Sequence, residues 1–439
     1  MPTVLVLYPG SVSFRQEQVA RHRPLLDQLG IRLVLGDDFV QDSDREVFDD
    51  VVELPPCDRV VEGWSVLERW LDAHAIDAVL AQSEPAILLG ALAARKAGRP
   101  GLDPRAALLC VSKYLCRREL ARAGIPQPAF RLARTARDVR DFARDAGFPV
   151  VLKATASSLG RLVTLVRSEE ELEPAVERLR AALPASTDLL RLSEFAAAAG
   201  VDLGYDPRSE FLTEAFCHGD PVETDGVLAG REPMTFGVTE QVLTKPPIFF
   251  LEGYLLPADR PAEELREIER VSDAALAALG VADTGYSIEM RVRAGRAEVI
   301  EVNGRLGWDE GFGDLFEVVT GFQPAFLCLQ IALGVRPGFA RRADVACALA
   351  YQTTYRDGIV RGVPSPEELL AVEAEGLRAG LAVDEGERVF SPPHPDVTPH
   401  LGYVLATHPA SSRAAYARAR EAVDRLGFRI ELLAETAVS

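Results

Sequence analysis

Apolar and polar positions along the first third of the chain alternate in a rhythm that predicts strands and helices in turn. Val4 to Tyr8 is a compact apolar run, a polar helix-compatible stretch follows to Leu29, Gly30 is placed to end it, and Ile31 to Leu35 is a second apolar run. A helix over Val66 to His74, a strand over Ala78 to Ala81 and a helix over Pro85 to Ala97 continue this β-α-β opening, so residues 1–110 read as a parallel α/β domain. Pro-Gly-Leu-Asp-Pro at 100–104 punctuates its end. The turn after the first strand, Pro9-Gly10-Ser11-Val12-Ser13, lacks the G-x-G-x-x-G that lets backbone approach a pyrophosphate, which argues against a dinucleotide site.

The pattern then changes character. Lys113 to Gly124 predicts a helix, Ala129 to Leu132 an extended segment, Arg137 to Gly147 a helix, and Pro149 to Lys153 a strand ending in a lysine. A small-residue loop, residues 154–160, and a strand over Leu162 to Val166 follow, an arrangement suited to covering phosphate or to an ordinary hairpin. Glu210 to Phe216 and Val222 to Asp225 read as strands, Thr239 to Pro257 as irregular, Pro261 to Leu279 as an amphipathic helix closed by Gly280, and the stretch from Asp314 to Leu333 as another helix. From Gly338 a further α/β segment ends in a helix over Arg413 to Leu426, capped by Ser411-Ser412, and a strand over Phe428 to Leu432. The domains expected are 1–110, 111–337 and 338–439.

Between these helices, TGYSIEMRVRAGRAEVIEVNGR carries Glu289 and Glu301 at mirror positions about Gly295. With Ala294-Gly295-Arg296 as a hairpin turn, the two carboxylates stand opposite each other on neighbouring strands, their Cβ atoms roughly 5 Å apart. Alternation puts Asn303 and Arg305 on the Glu301 face, and Ile288, Met290, Val292, Ile300 and Val302 on the other. The polar face is either solvated or a site. Two carboxylates, an amide and a guanidinium are also what a nucleotide-bound divalent ion and its phosphoryl oxygens require.

Composition narrows the field. At 439 residues the chain exceeds one core, and 48% hydrophobic with 26% charged residues excludes extensive disorder. A net charge of −18 with no basic stripe argues against nucleic acid or an anionic membrane as partner. Six scattered cysteines without a CxxC pair fit a reducing, cytoplasmic compartment and no structural zinc site. The first ten residues do not read as a signal peptide, and no window reads as a membrane span. No histidine has an evident ligand-like partner.

With these pieces in order, the chain resembles the ATP-grasp superfamily, and within it carboxylate-amine ligases similar to bacterial L-amino acid (dipeptide) ligases. The resemblance rests on Ser112-Lys113 heading a helix that ends Ala123-Gly124-Ile125-Pro126, on Val150-Val151-Leu152-Lys153, on Phe211 to Phe216 with Gly219-Asp220, and on Ile288-Glu289 paired with Ile300 to Gly307. It spans about residues 112 to 335. It implies an α/β and α+β multidomain fold, an N-terminal parallel α/β pre-domain before the ATP-grasp domain, and a C-terminal α/β lid domain. It implies ATP and Mg²⁺, or Mn²⁺, as cofactors. Lys113 and Lys153 would contact phosphates, Lys153 also in a catalytic role, and the loop with Ser157 and Ser158 would close over them. Glu214, Ala215, Phe216 and Cys217 would form the adenine hinge, mainly through backbone; Glu289, Glu301 and Asn303 would hold the metal; Arg305 would grip the transferred phosphoryl group. Small-molecule carboxylate and amine substrates and a homodimer are implied as well.

Some residues depart from the family pattern. The loop after Lys153 lacks the following proline and much of the glycine. Pro221 stands where a ribose-binding acid is expected, with Glu223 as substitute, and Trp308 replaces the second glycine after Arg305, where it either narrows the amine pocket or serves packing. Glu84, at the carboxyl end of a strand, is a candidate for a substrate ammonium, or else complements a helix end. Asp309 and Glu310 are candidates for the amine, and Lys245 is undecided between nucleotide contact and loop. The reaction implied is ATP-dependent joining of a carboxylate to an amine through an acyl phosphate. A carboxylase that activates bicarbonate and a non-catalytic nucleotide-binding module are the alternatives.

Overall fold

The computed structural model describes residues 1–10, 12–157, 160–244, 250–307, 309–391 and 400–433, without the side chains of residues 12–14 and 17. Ser158, Lys245, Trp308 and His394 therefore lie outside the described residues.

The N-terminal apolar runs pair in parallel, Asp50–Glu53 beside Arg32–Asp37, Thr3–Leu7 and Ala78–Leu80, in that order. Helices Val60–Ala73 and Ile87–Ala97 pack on this sheet; the second is ended by Gly98 in the left-handed conformation. Glu84 and Gln82 follow the last strand at its carboxyl end.

A second sheet has four antiparallel strands, ordered Phe130–Ala133, Phe211–Ala215, Val150–Lys153, Val163–Val166. Helices Ala136–Ala146 and Glu169–Ala182 pack against it; the first starts in a capping box between Thr135 and Asp138. The largest sheet has eight antiparallel strands, ordered Arg296–Asn303, Gly285–Arg293, Asp220–Ala229, Glu232–Leu243, Leu251–Leu256, Ala346–Thr353, His400–His408, Arg378–Leu381. The sheet runs unbroken across the expected boundary at 337/338. A further three-stranded sheet, Arg388–Val389, Gly358–Gly362 and Arg429–Leu432, lies in the C-terminal segment.

Several expectations need correction. The stretch 239–257 is largely strand, because Glu232–Leu243 continues into it and Leu251–Leu256 pairs with both neighbours. The helix expected from Asp314 to Leu333 is two, Phe312–Thr320 and Pro324–Ala332, bent by 76° where Gly321 takes φ +78 and Pro324 restarts the chain. Helices without a counterpart among the expected elements include Pro104–Val111, Glu169–Ala182 and Thr187–Ala199. Among the described residues no single helix is long and apolar enough to cross a membrane.

The hairpin itself differs in a way that matters. Its turn is two residues, Ala294 and Gly295, both at positive φ (50 and 76), and Arg293 pairs with Arg296. That is the two-residue geometry whose twist matches paired strands. Carried on without interruption, this register would set Glu289 against Ile300. A bulge intervenes instead: Met290 pairs with Val299, Ile300 is passed over, and Glu289 pairs with Glu301. The apolar face is thus Ile288, Met290, Val292, Ala297, Val299 and Val302, all buried, while Ile300 is only half-buried.

Candidate active site

Directly paired residues, and those two positions along, share a face of a sheet. Glu289 pairs with Glu301 on one side and with Glu223 on the other, and Ser287 pairs with Asn303 and Asp225. Three adjacent strands therefore present Glu301, Glu289, Glu223, Asn303, Ser287 and Asp225 to the same side. Burial and the neighbouring Glu301 charge push Glu289 up to about 7. Burial and Glu289 push Glu223 up to about 8, against the Ser287 hydroxyl that donates to its Oε1 at 2.5 Å and the Gln241 amide at 3.1 Å. Asp225 is fully buried and also raised, burial leading and Glu223 adding; its Oδ1 accepts from the Gly307 amide at 3.3 Å, and its Oδ2 has no partner among the described residues.

Glu223 thus lies within this acid row, paired with Glu289. Asp225 was not anticipated. Its signal was present in Glu223-Thr224-Asp225, two acids one strand period apart.

Lys113 closes the row from above. Its helix, Lys113–Arg122, is capped by Ser112, its backbone amide donates to Thr155 at 2.7 Å, and its ammonium reaches Glu301 Oε1 at 2.6 Å. Burial works against the charge on Lys113, but Glu301 outweighs it, so the ammonium is held more firmly than usual. Lys153, at the end of its strand, pairs with Glu214 Oε2 at 2.7 Å. The side chain of Glu214 points inward, where Arg117 also binds it at 2.6 Å. Burial opposes this carboxylate's charge, yet Arg117 and Lys153 together hold it down at about 2. As a hinge residue Glu214 can therefore offer only backbone. The amides of Ala215 and Phe216 already donate to Ala129 and Pro149, at 2.9 and 3.2 Å, so a base at the hinge would use its other backbone groups. Cys217 donates its thiol to Glu298 at 3.0 Å. The Ser157 hydroxyl is buried and meets no partner among the described residues.

Arg305, just past the hairpin, donates from Nε to Glu84 Oε2 at 3.1 Å. Arg191, from the Thr187–Ala199 helix, lies 4.0 Å from the other Glu84 oxygen and binds Asp188 at 2.9 Å. Burial would raise Glu84, but Arg305 and Arg191 lower it below the ordinary value. Without a ligand, Glu84 is the partner of Arg305, with Arg191 close by. Asp309 accepts a hydrogen bond from the Tyr254 hydroxyl, and burial raises it. Glu310 lies 3.4 Å from His400 Nδ1. His400 is buried, stacked on Tyr351 at 3.8 Å, its Nε2–H directed at the Leu251 carbonyl 3.0 Å away.

Among the described residues no three His, Cys, Asp or Glu side chains converge as a ready metal site. The donor set still fits a divalent ion that arrives with a nucleotide, since such an ion takes one or two carboxylates and completes its shell with phosphate and water. Glu289 and Glu301 face each other with Asn303 beside them, and a lysine ammonium is already drawn to the pair.

Residues 146–309 match the ATP-grasp domain model. The chain is 28% identical over 329 residues to protein y4rH of Sinorhizobium fredii, covering 74% of this chain and 63% of that one. It is 24% identical over 313 residues to the alanine–anticapsin ligase of Bacillus amyloliquefaciens, covering 66% and 62%. It thus spans less than two thirds of the length of these curated relatives. The L-amino acid ligase from Bacillus licheniformis superposes with a TM-score of 0.76 at 19% identity, covering 98% of this chain and 99% of the other.

Proposed function

We propose that this chain, whose residues 146–309 match the ATP-grasp domain model, is an ATP-dependent ligase that joins a carboxylate, an amino acid or small acid, to an amine through an acyl phosphate. The observation that carries this reading is the opposition of Glu289 and Glu301 on one face of the hairpin, with Lys113 bound to Glu301 and Arg305 beyond the strand end. The likeness to an alanine–anticapsin ligase supports it.

In the first step an oxygen of the substrate carboxylate attacks the γ-phosphorus of ATP, the bond to the β,γ-bridging oxygen breaks, and ADP leaves. In the second the amine attacks the acyl carbon, phosphate leaves, and a proton is released. Neither step needs a protein nucleophile, so the chain's work is to clamp charge, orient groups and exclude water. Glu289, Glu301 and Asn303 would hold Mg²⁺, which when bound neutralises phosphate charge. Lys113 and Lys153 steady the phosphate oxygens. Arg305, oriented by Glu84, offers a planar fork to the phosphoryl group in transfer. The loop carrying Ser157 covers the phosphates, its buried hydroxyl serving as one donor. Asp309 and Glu310, next to Tyr254 and His400, face the amine.

Phosphate release from MgATP across a matrix of amino acids and small acids, followed by product mass, tests the proposal. Release that requires both an acid and an amine, with a product of their summed mass less water, is expected. Release stimulated by bicarbonate alone would replace the ligase with a carboxylase.

A further inference from the structure

The bulge at Ile300 decides which way Glu301 points. In the unbulged register, Glu301 would pair with Ile288 and turn its carboxylate to the apolar face, because a slip of one residue exchanges the faces of a strand. The strand that holds the bulge, Arg296–Asn303, is the terminal strand of its sheet. Nothing in the ladder beyond it holds the bulge carbonyls.

One side chain does. Arg117 lies one helical turn after Lys113, is 3% exposed, and donates from Nη1 to the Val299 carbonyl at 2.6 Å and from Nη2 to the Ile300 carbonyl at 2.8 Å. Its other donors go to Glu214, from Nε at 2.6 Å and Nη2 at 3.3 Å, and from Nη1 to Gln127 at 3.4 Å. These five contacts match the five N–H groups of a guanidinium. A lysine has three donors on a single nitrogen and cannot span both carbonyls and a carboxylate. The same guanidinium thus touches the bulge that orients Glu301 and the carboxylate that pairs with Lys153.

We propose that Arg117 is a positioning residue for the metal-binding acid pair: by clamping the carbonyls of Val299 and Ile300 it locks the bulged register in which Glu301 faces Glu289. The inference rests on the reading of that pair as a divalent-ion site. It gives Arg117 a role in ion affinity that packing alone would not.

Mn²⁺ binding to the full-length protein with ADP present, followed by electron paramagnetic resonance of the unbound ion, tests it beside circular dichroism for folding. R117K is expected to weaken Mn²⁺ at least tenfold while remaining folded. Deleting Ile300 removes the bulge but keeps Glu289 opposite Glu301 in an unbroken ladder. That variant is expected to bind within threefold of wild type, and on its background R117K should change the affinity less than threefold. Unchanged Mn²⁺ affinity in folded R117K, or an equal loss on both backgrounds, overturns the role of Arg117. If R117K does not fold, the Ile300 deletion decides alone: loss of Mn²⁺ binding there overturns the inference. Wild type that binds no Mn²⁺ in the presence of ADP instead removes the reading of the acid pair, and this inference with it.

Discussion

Replacing Glu214 with glutamine removes one charge from the most buried ion cluster of the site, and its cost can be worked from the structure. Glu214 is 2% exposed and is shared by Arg117 and Lys153, at 2.6 and 2.7 Å. Its carboxyl sits at about 2 against an ordinary 4.5. At about 1.4 kcal/mol per pH unit, that difference amounts to roughly 3 kcal/mol of stability at neutral pH. Because the folded value lies below the unfolded one, this contribution is whole above pH 4.5 and is lost as the pH falls toward 2. E214Q leaves two cations facing a neutral amide, and breaking a buried pair in this way costs about 3–5 kcal/mol. Native-state hydrogen exchange of the amides in Val150–Lys153 and Phe211–Ala215 reads the local opening of these strands. At pH 7 the variant should open more easily by about 3 kcal/mol, and between pH 6 and pH 3 the gap from wild type should narrow by about 2 kcal/mol as the wild-type carboxylate loses its advantage. A gap below about 1 kcal/mol at pH 7, or one that stays constant down to pH 3, refutes the reasoning.

Three further outcomes follow from the site. Arg305→Ala should lower kcat by on the order of 10³ in a single-turnover assay of ADP formation, as loss of an electrostatic donor at a developing charge does. Glu84→Gln should lower kcat with little change in the KM of the amine; a rise confined to that KM would instead make Glu84 an ammonium ligand. Glu289 and Glu223 are raised to about 7 and about 8, so each binds its proton more tightly folded than unfolded. The metal-free protein should lose thermal stability as the pH rises from 5 to 8, a trend that added Mg²⁺ reduces, since the ion competes with those protons.

Much of the site is legible in local sequence because it depends on strand period. The alternation of Ile288, Glu289 and Met290 predicts two faces whatever lies around them, and Lys153 at a strand end needs only its own strand. The Ile300 bulge is not legible that way, since the group that holds it, Arg117, lies 183 residues away along the chain. The same applies to Glu84: its place at a strand end can be read, while its partner Arg305, 221 residues on, cannot. By contrast, the helices over Glu169–Ala182 and Thr187–Ala199 had signals to find, a serine before each, acids in the first turn, and Gly200 after the second.

The central claim is that Glu289 and Glu301 share one divalent ion brought by the nucleotide. Crystals grown with Mn²⁺ and a non-hydrolysable ATP analogue, measured at a wavelength where manganese scatters anomalously, test it directly. An anomalous peak about 2.1 Å from a carboxylate oxygen of each glutamate, with Lys113 moved from Glu301 to a phosphate, is the result predicted. A bound nucleotide whose ion touches neither glutamate, with Lys113 still on Glu301, would contradict it.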